Sequence, residues 1–381
     1  MIDVWEHKED CTGCTACQQA CAHGAITMQR DAEGFLYPVT DADACTNCGL
    51  CEHVCPMLRA DERPADESAP KVFALRHKDD AVLGESASGG AFTAIAEYVI
   101  KQGGVVVGCR HDKDMNVEHA FADTVEALRF MRGSKYVQSS LGDCFHTVRK
   151  QLQAGRLVLF TGTPCQVAGL NAFLHRPYPT LLTCDILCHG VASPALFSSF
   201  IRYAERVTHR QVADYRVRDK SLGWGHTLPR MDFQDGSHIK GGVAWLWAKA
   251  YGSTLAHRPV CYHCRFTSFR RPADLSIGDF WGIEKHHPHF IHPKGVSLVL
   301  VNSAKGQALL EAIRGAVLVQ ESTMEACVQQ CLQQPVPRPV QRDKFWHDVQ
   351  TLSFHRLCVS YFEWGFWNRF RKKLKSIVKR I

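Results

Sequence analysis

One cysteine spacing, used twice, limits what this chain can fold into more than any other feature. Residues 11–21 read C-x2-C-x2-C-x3-C, and residues 45–55 repeat that spacing. Three thiolates in a tight run plus one distant thiolate is the donor set a 4Fe-4S cluster needs. Where two such runs stand together, the fourth Cys of each ligates the other run's cluster. The spacing therefore predicts one cluster on Cys11, Cys14, Cys17 and Cys55, and a second on Cys45, Cys48, Cys51 and Cys21. Zinc modules use paired cysteines, not triplets with a trailing fourth. The second run ends Cys55-Pro56 and the first Cys21-Ala22, a difference in turn geometry that leaves the donors unchanged.

Residues 1–58 are thus expected to form a bacterial-type two-cluster ferredoxin module of α+β type, with short strands at 24–28 and 35–39. Residues 59–70 are polar and proline-bearing and read as a linker. From residue 71 candidate strands (72–75, 105–107, 156–160, 181–187) alternate with candidate helices (91–101, 141–153). That alternation predicts a layered α/β domain with ligand loops at strand ends. Residues 231–239 alternate around Asp235-Gly236, a hairpin signature. A strand at 296–301 and a helix at 306–313 follow. The organisation predicted is 1–58, linker 59–70, then 71–190, 191–332 with its C-x-x-C pair, and 333–381 as a Pro-rich connector and basic tail.

Charge narrows the partners. The 381 residues carry 45 basic and 38 acidic side chains. Seven of the basic ones fall within 365–381, where no acid stands, so the remainder is neutral at 38 against 38. A neutral body argues against a nucleic-acid-binding surface. On a helix, Phe366, Trp367, Phe370, Leu374, Ile377, Val378 and Ile381 share one arc and the basic residues the other. This pattern suits an anionic membrane surface, or a partner subunit. The aromatics of 345–367 would suit a buried partner contact. No apolar h-region opens the sequence and no run of eighteen apolar residues occurs, so a cytoplasmic protein with reduced thiols is expected, peripheral at the inner face of the membrane if the tail binds there.

Other residues have chemistry without a fixed reading. Cys165 and Cys188 each follow a candidate strand, Cys184 precedes Cys188 by four residues, and Cys261/Cys264 form C-x-x-C. Four of these would hold a third cluster or a zinc ion, and inert buried thiols explain them equally. Ser88-Gly89-Gly90 opens a helix and suits a phosphate, though an ordinary cap accounts for it as well. Lys135 and Tyr136 would meet a phosphate and a flavin ring, or lie in a solvated loop. His189 reads as structural before it reads as a proton donor. Asp279 reads equally as a turn cap or as a group orienting a ligand. No nucleophile–base set has local support, so no catalytic residue is named.

Six segments in combination, E-S-A-S-G-G (85–90), G-S-K-Y-V-Q-S (133–139), G-T-P-C-Q (162–166), D-I-L-C-H-G (185–190), C-Y-H-C (261–264) and A-D-L-S-I-G-D-F-W-G (273–282), carry a resemblance. The chain from about 71 to 318 resembles the beta subunit of coenzyme F-420 hydrogenases and dehydrogenases. The resemblance implies FAD and a third 4Fe-4S cluster in the α/β domain. By position it makes Cys165, Cys188, Cys261 and Cys264 the cluster ligands, with Cys184 in reserve. Ser88, Gly89, Gly90, Lys135 and Tyr136 become flavin contacts. The implied function is oxidoreduction between a two-electron carrier or small molecule and one-electron clusters, with a ferredoxin or a deazaflavin as redox partner. The alternative is an electron-input subunit of a larger membrane-attached complex.

Overall fold

The computed structural model describes residues 7–59 and 69–365. Most of the expected linker and all of the basic tail beyond 365 lie outside the described residues. In the first module, helix α1 (Ala16–Ala20), strands β1 (Ile26–Arg30) and β2 (Leu36–Thr40), and helix α2 (Leu50–His53) alternate with the cysteine loops. β1 and β2 pair antiparallel. The duplication extends to the backbone. Gly13 and Thr15 in the first run, and Asn47 and Gly49 in the second, all take left-handed conformations, φ 70, 61, 55 and 73°. These pairs fold each run back on itself so that its thiols converge. Glycine and asparagine suit that region, and a β-branched threonine does not. Thr15 is held there by Gln19, whose Nε2 donates to Thr15 Oγ1 at 2.7 Å.

The body begins with β3 (Lys71–His77), α3 (Asp80–Glu85) and α4 (Ala91–Lys101). Next come β4 (Val105–His111), β5 (Val117–Ala122), α5 (Val125–Leu128) and α6 (Cys144–Gln153). Then β6 (Val158–Gly162) feeds α7 (Pro164–Leu174), and β7 (Leu181–Ile186) follows. An excursion of α8 (Pro194–Thr208), β8 (Val212–Arg216), β9 (Arg230–Phe233), β10 (His238–Lys240) and α9 (Trp245–Gly252) makes a second lobe. The chain returns through β11 (Leu275–Asp279), α10 (Ile283–His286), β12 (Ser297–Val301), α11 (Ala304–Ala312) and β13 (Val317–Ser322). It closes with α12 (Arg342–Thr351) and α13 (Phe354–Tyr361).

Eight strands form one mixed sheet in the order β13-β3-β12-β11-β7-β6-β4-β5. The four central strands, β11, β7, β6 and β4, run parallel, and the strands on both flanks are antiparallel. Strands from both sides of residue 190 therefore share one sheet and one core. The carboxyl ends of the parallel strands point the same way, and the loops leaving them carry the motifs. α7 starts sharply because Pro164 occupies its first turn and Gln166 Oε1 accepts from the Thr163 N–H at 3.0 Å.

Two boundaries differ from the sequence reading for local reasons. The helix expected from 141 begins at Cys144, because Gly142 takes φ 47°. The helix expected from 306 begins at Ala304, because the Ser303 side chain accepts from the Gly306 N–H at 3.1 Å. The aromatics of the carboxyl-terminal stretch pack inward. Phe345, Trp346 and Phe362 join a core built from Phe197, Phe200, Tyr215 and Trp247. Their described members are thus spent on the chain's own second lobe, not on a partner.

The ferredoxin-type module is docked on the body. Gln19 Oε1 accepts from Phe145 N at 2.9 Å and His146 N at 3.3 Å, the opening amides of α6. A Cβ on Gly169 of α7 would stand 2.9 Å from Cys14 Sγ. On the far side, Arg342 Nη1 reaches Glu33 Oε1 at 2.9 Å. Replacing Phe345 by alanine deletes a fully buried ring. The expected loss is about 3–5 kcal/mol of unfolding free energy, read from denaturant melts of the anaerobic protein.

Candidate metal and cofactor centre

The thiols gather into three sets. Cys11, Cys14, Cys17 and Cys55 line one small cavity, and Cys21, Cys45, Cys48 and Cys51 line another. These are the two groups that the crossed-ligand rule assigns. Cys165, Cys188, Cys261 and Cys264 line a third cavity, and all six pairs among them are close enough to feel each other's charge. Cys184 sits in β7, lines a different and larger cavity, and has Asp185, Asp274 and Arg271 as its charged neighbours. Cys331, which no sequence motif marks, also lines the third cavity. Its only signal in sequence is its spacing from Cys327, which is not a ligand pattern.

Burial shapes these thiols. It pushes Cys14 and Cys261 up to about 12, and Cys17, Cys165 and Cys188 up as well. Neighbouring thiols raise them further. Such groups become thiolates when positive iron stands between them. Four soft sulfur donors lining one cavity are a donor set that suits an iron–sulfur cluster or a zinc ion. Cys165 is the second residue of α7, where the helix N-terminus favours negative charge. Beneath it, Arg271 and Asp185 form a buried ion pair at 2.8 Å. Burial pushes the Asp185 carboxyl up and Arg271 pulls it down, with the first effect winning.

The largest cavity, about 240 Å³, lies at the carboxyl edge of the four parallel strands. Thr161 and Gly162 from β6, Cys188 after β7 and Asp279 from β11 form its floor. Ser88, Gly90, Lys135 and Tyr136 line its walls. Gly89 stands behind the wall. A Cβ there would meet Leu75 O at 2.3 Å and Ser297 N at 2.4 Å, so only glycine lets the loop lie on the sheet. Gly90 caps α4 with φ 86° and leaves the helix N-terminus facing the space. Lys135 is buried, its Nζ donates to Arg132 O at 3.0 Å, and burial lowers its pKa. His119 joins the site without any motif to announce it. Burial lowers it to about 4, and its Nε2–H donates to Thr161 O at 3.0 Å. Its Nδ1 is thereby an acceptor, buried and without a partner among the described residues. A buried lysine and a helix N-terminus at one cavity suit an anionic, phosphate-bearing group.

The mouth of this cavity is also built. Trp224 and Trp281 stack at 4.6 Å, and Arg218 lies 4.8 Å over Trp281. Asp279 fixes both, accepting from Arg218 Nη1 at 2.5 Å and Trp224 Nε1 at 2.7 Å. Asp279 thus holds Arg218 and Trp224 in place. Lys220 donates to Leu83 O at 2.9 Å and Ser88 O at 2.6 Å, and to Lys294 O, which bolts its loop onto the Ser88 turn. His189 lines both the large cavity and the third thiol cavity.

Three family descriptions match. "Coenzyme F-420 hydrogenase/dehydrogenase, beta subunit N-term" covers residues 72–144, its C-terminal counterpart covers 155–326, and "4Fe-4S dicluster domain" covers 10–58. One of the subunits of the F(420)H(2) dehydrogenase of Methanosarcina mazei is 25% identical over 333 residues, 84% of this chain and 87% of that one. A pyruvate synthase subunit of Thermotoga maritima is 39% identical over 62 residues, 16% of this chain and 58% of that one. A chain of the F-420-reducing [NiFe] hydrogenase complex from Methanosarcina barkeri aligns with TM-score 0.45 and 19% identity, covering 65% of this chain and 81% of that one. The family matches define an iron–sulfur oxidoreductase. The chain belongs to the coenzyme F-420 hydrogenase/dehydrogenase beta-subunit family, with a 4Fe-4S dicluster domain at its amino-terminal end.

Lys220→Met removes three hydrogen bonds from the loop at the mouth. Limited proteolysis should then cut between residues 217 and 229 several-fold faster than in the parent chain, with the ferredoxin-type module as resistant as before.

Proposed function

We propose that this chain is the electron-input subunit of a larger redox complex. It takes electrons from a two-electron carrier at its large cavity and delivers them singly through three 4Fe-4S clusters to a partner chain that holds the final acceptor site. The carrying observation is that the cavities are joined in series. The large cavity and the Cys165 set share Thr163, Cys188, His189, Gly190 and Val191. The Cys165 set and the Cys11 set share Thr12 and Met57. Helix α1 then carries Cys17 toward Cys21 and the outer set, where Cys48 is exposed. The subunit reading is favoured over a self-contained enzyme because the similar protein from Methanosarcina mazei is itself named as a subunit.

FAD in the large cavity would accept an electron pair and release its electrons one at a time, matching one-electron clusters. The chain's own groups then have definite tasks. Lys135 and the α4 N-terminus hold negative charge, and Tyr136 supplies a ring edge. Trp281 and Arg218 face a carrier arriving at the mouth. Cys188 borders both the large cavity and the third set, so the transfer between them is short. A reduced deazaflavin, NADH, NADPH or ferredoxin is the candidate donor or acceptor.

The anaerobically purified chain should contain flavin and about twelve irons, four for each cluster. Cys188→Ser should lose about four of those irons and keep flavin that a two-electron donor bleaches while the remaining clusters stay oxidised. Protein with iron and sulfide but no flavin would overturn the proposal.

The tail beyond 365 is read as a contact with an anionic membrane or a partner subunit. Among the described residues no helix is long and apolar enough to cross a membrane. Deleting 366–381 should abolish pelleting with anionic vesicles and leave bound iron unchanged. Equal pelleting of the two forms would remove the membrane reading.

A further inference from the structure

One charged side chain stands where the Cys11 and Cys165 cavities meet. Arg258 is fully buried and lines the Cys165 cavity. Its Nε donates to Cys11 O at 2.7 Å, Nη1 to Gln138 Oε1 at 2.9 Å and Nη2 to Leu36 O at 2.9 Å. Nη2 also comes within 3.5 Å of Cys11 Sγ, and the guanidinium lies 4.2 Å over the Tyr37 ring. None of these partners is a carboxylate. Of the module's nearby acids, Asp31 pairs with Lys8 at 3.0 Å and Glu33 with Arg342 at 2.9 Å, while Asp10 lines the Cys11 cavity from its solvent-exposed side and does not bond Arg258. The approach is built in. Gly13 holds φ 70°, and a Cβ there would lie 2.7 Å from Arg258 Nη1 and 2.8 Å from Gln138 Nε2.

A guanidinium does not lose its proton in a protein, and burying its charge without a counter-charge is costly. Its hydrogen bonds go to neutral oxygens, so the charge has to be balanced by something else within reach. A cluster with four thiolates is anionic, and each electron it accepts adds one negative charge. The Cys21 set differs. It lies at the surface: Cys48 is exposed, His23 lines its cavity, and the charged residues next to its cysteines in sequence, Asp41, Asp43 and Glu52, are exposed. Charges there are screened by water.

We propose that Arg258 is the counter-ion of the inner cluster and holds its reduction potential above that of the outer one. The reduced form gains most, because it carries the additional negative charge closest to a fixed positive one. Arg258 acts on the redox couple through the Cys11 thiolate, and no proton moves, so the effect is independent of pH. An electron arriving from the Cys165 set thus rests at the junction until a partner docks at Cys48. The inference rests on the cluster reading of the Cys11 and Cys21 sets, and goes beyond it in ranking the two.

The test is an EPR-monitored redox titration of the anaerobically prepared full chain, with the outer-cluster signal assigned by the change it undergoes in Cys48→Ser. Arg258→Gln should shift the inner cluster's reduced-to-oxidised ratio at fixed potential at least tenfold toward oxidised, about 59 mV for one electron. The outer signal should stay in place. Arg258→Lys should keep the inner potential close to the parent's, which a purely structural role would not predict. If Arg258→Gln does not fold, Gln138→Glu decides the matter: it sets a carboxylate on Nη1 and should lower the inner potential the same way. An inner potential unmoved in both variants overturns the proposal while leaving the cluster reading intact. A parent chain with no 4Fe-4S signal from the Cys11 set overturns both.

Discussion

The parallel pairing of β6 with β7 is the constraint on which the centre depends. Its register sets Gly162 opposite Asp185. The loops that follow therefore leave the sheet side by side, and Cys165 and Cys188 come together though 22 residues of sequence separate them. β11 pairs with β7 on the other side, with Ser276 opposite the same Asp185. Asp185 is thus a hub: it anchors Arg271, whose Nη1 and Nη2 also donate to Phe266 O and Ile186 O. That one arginine ties the Cys264 loop to the strand that delivers Cys188. Shifting any of these strands by one residue would turn its side chains to the other face and part the thiols.

The charges inside this protein are mostly used for joining. Arg258 binds the first module to the loop that carries Cys261, and Arg342 binds the module's turn to α12 while its Nη2 donates to His257 O at 3.0 Å. Glu33 answers that contact with its carboxylate, which burial raises and Arg342 pulls down. Ser193 Oγ donates to Glu33 O at 2.5 Å, and α8 begins at the next residue. Polar contacts buried in this way specify one docking geometry, because a slipped arrangement would strand charges without partners.

Much of this is legible in the sequence, and what is not has a physical pattern. The grouping of the first eight cysteines follows from spacing alone, because each triplet acts within a few residues. Three of the four parallel strands, β4, β6 and β7, are visible as short apolar runs, whereas β11 (L-S-I-G-D) is not, and the Asp235-Gly236 hairpin shows as a turn between alternating residues. His119 and Arg258 are invisible: each lies on an ordinary stretch and acquires its role from segments more than 40 residues away in sequence. The second lobe is hidden for a related reason. Its core joins α8, α9 and α12 through Phe197, Trp247 and Phe345, of which only the last falls in a stretch the sequence singles out, and there as suited to a partner contact. The docking of the first module is hidden too, because a polar linker implies a tether and says nothing of the surfaces on either side.

The graded burial of the thiol sets has a consequence for damage. Cys14 and Cys17 are buried and the Cys165 set is enclosed between sheet and module, whereas Cys48 is open to solvent. Oxygen meets the outer cage first. If the thiol sets hold clusters in the proposed series, a chain aired briefly would lose its outer cluster before its inner ones, and would keep colour while passing nothing onward. In such a molecule the exposed end works as a fuse, failing where the break isolates the protein and spares the centres behind it.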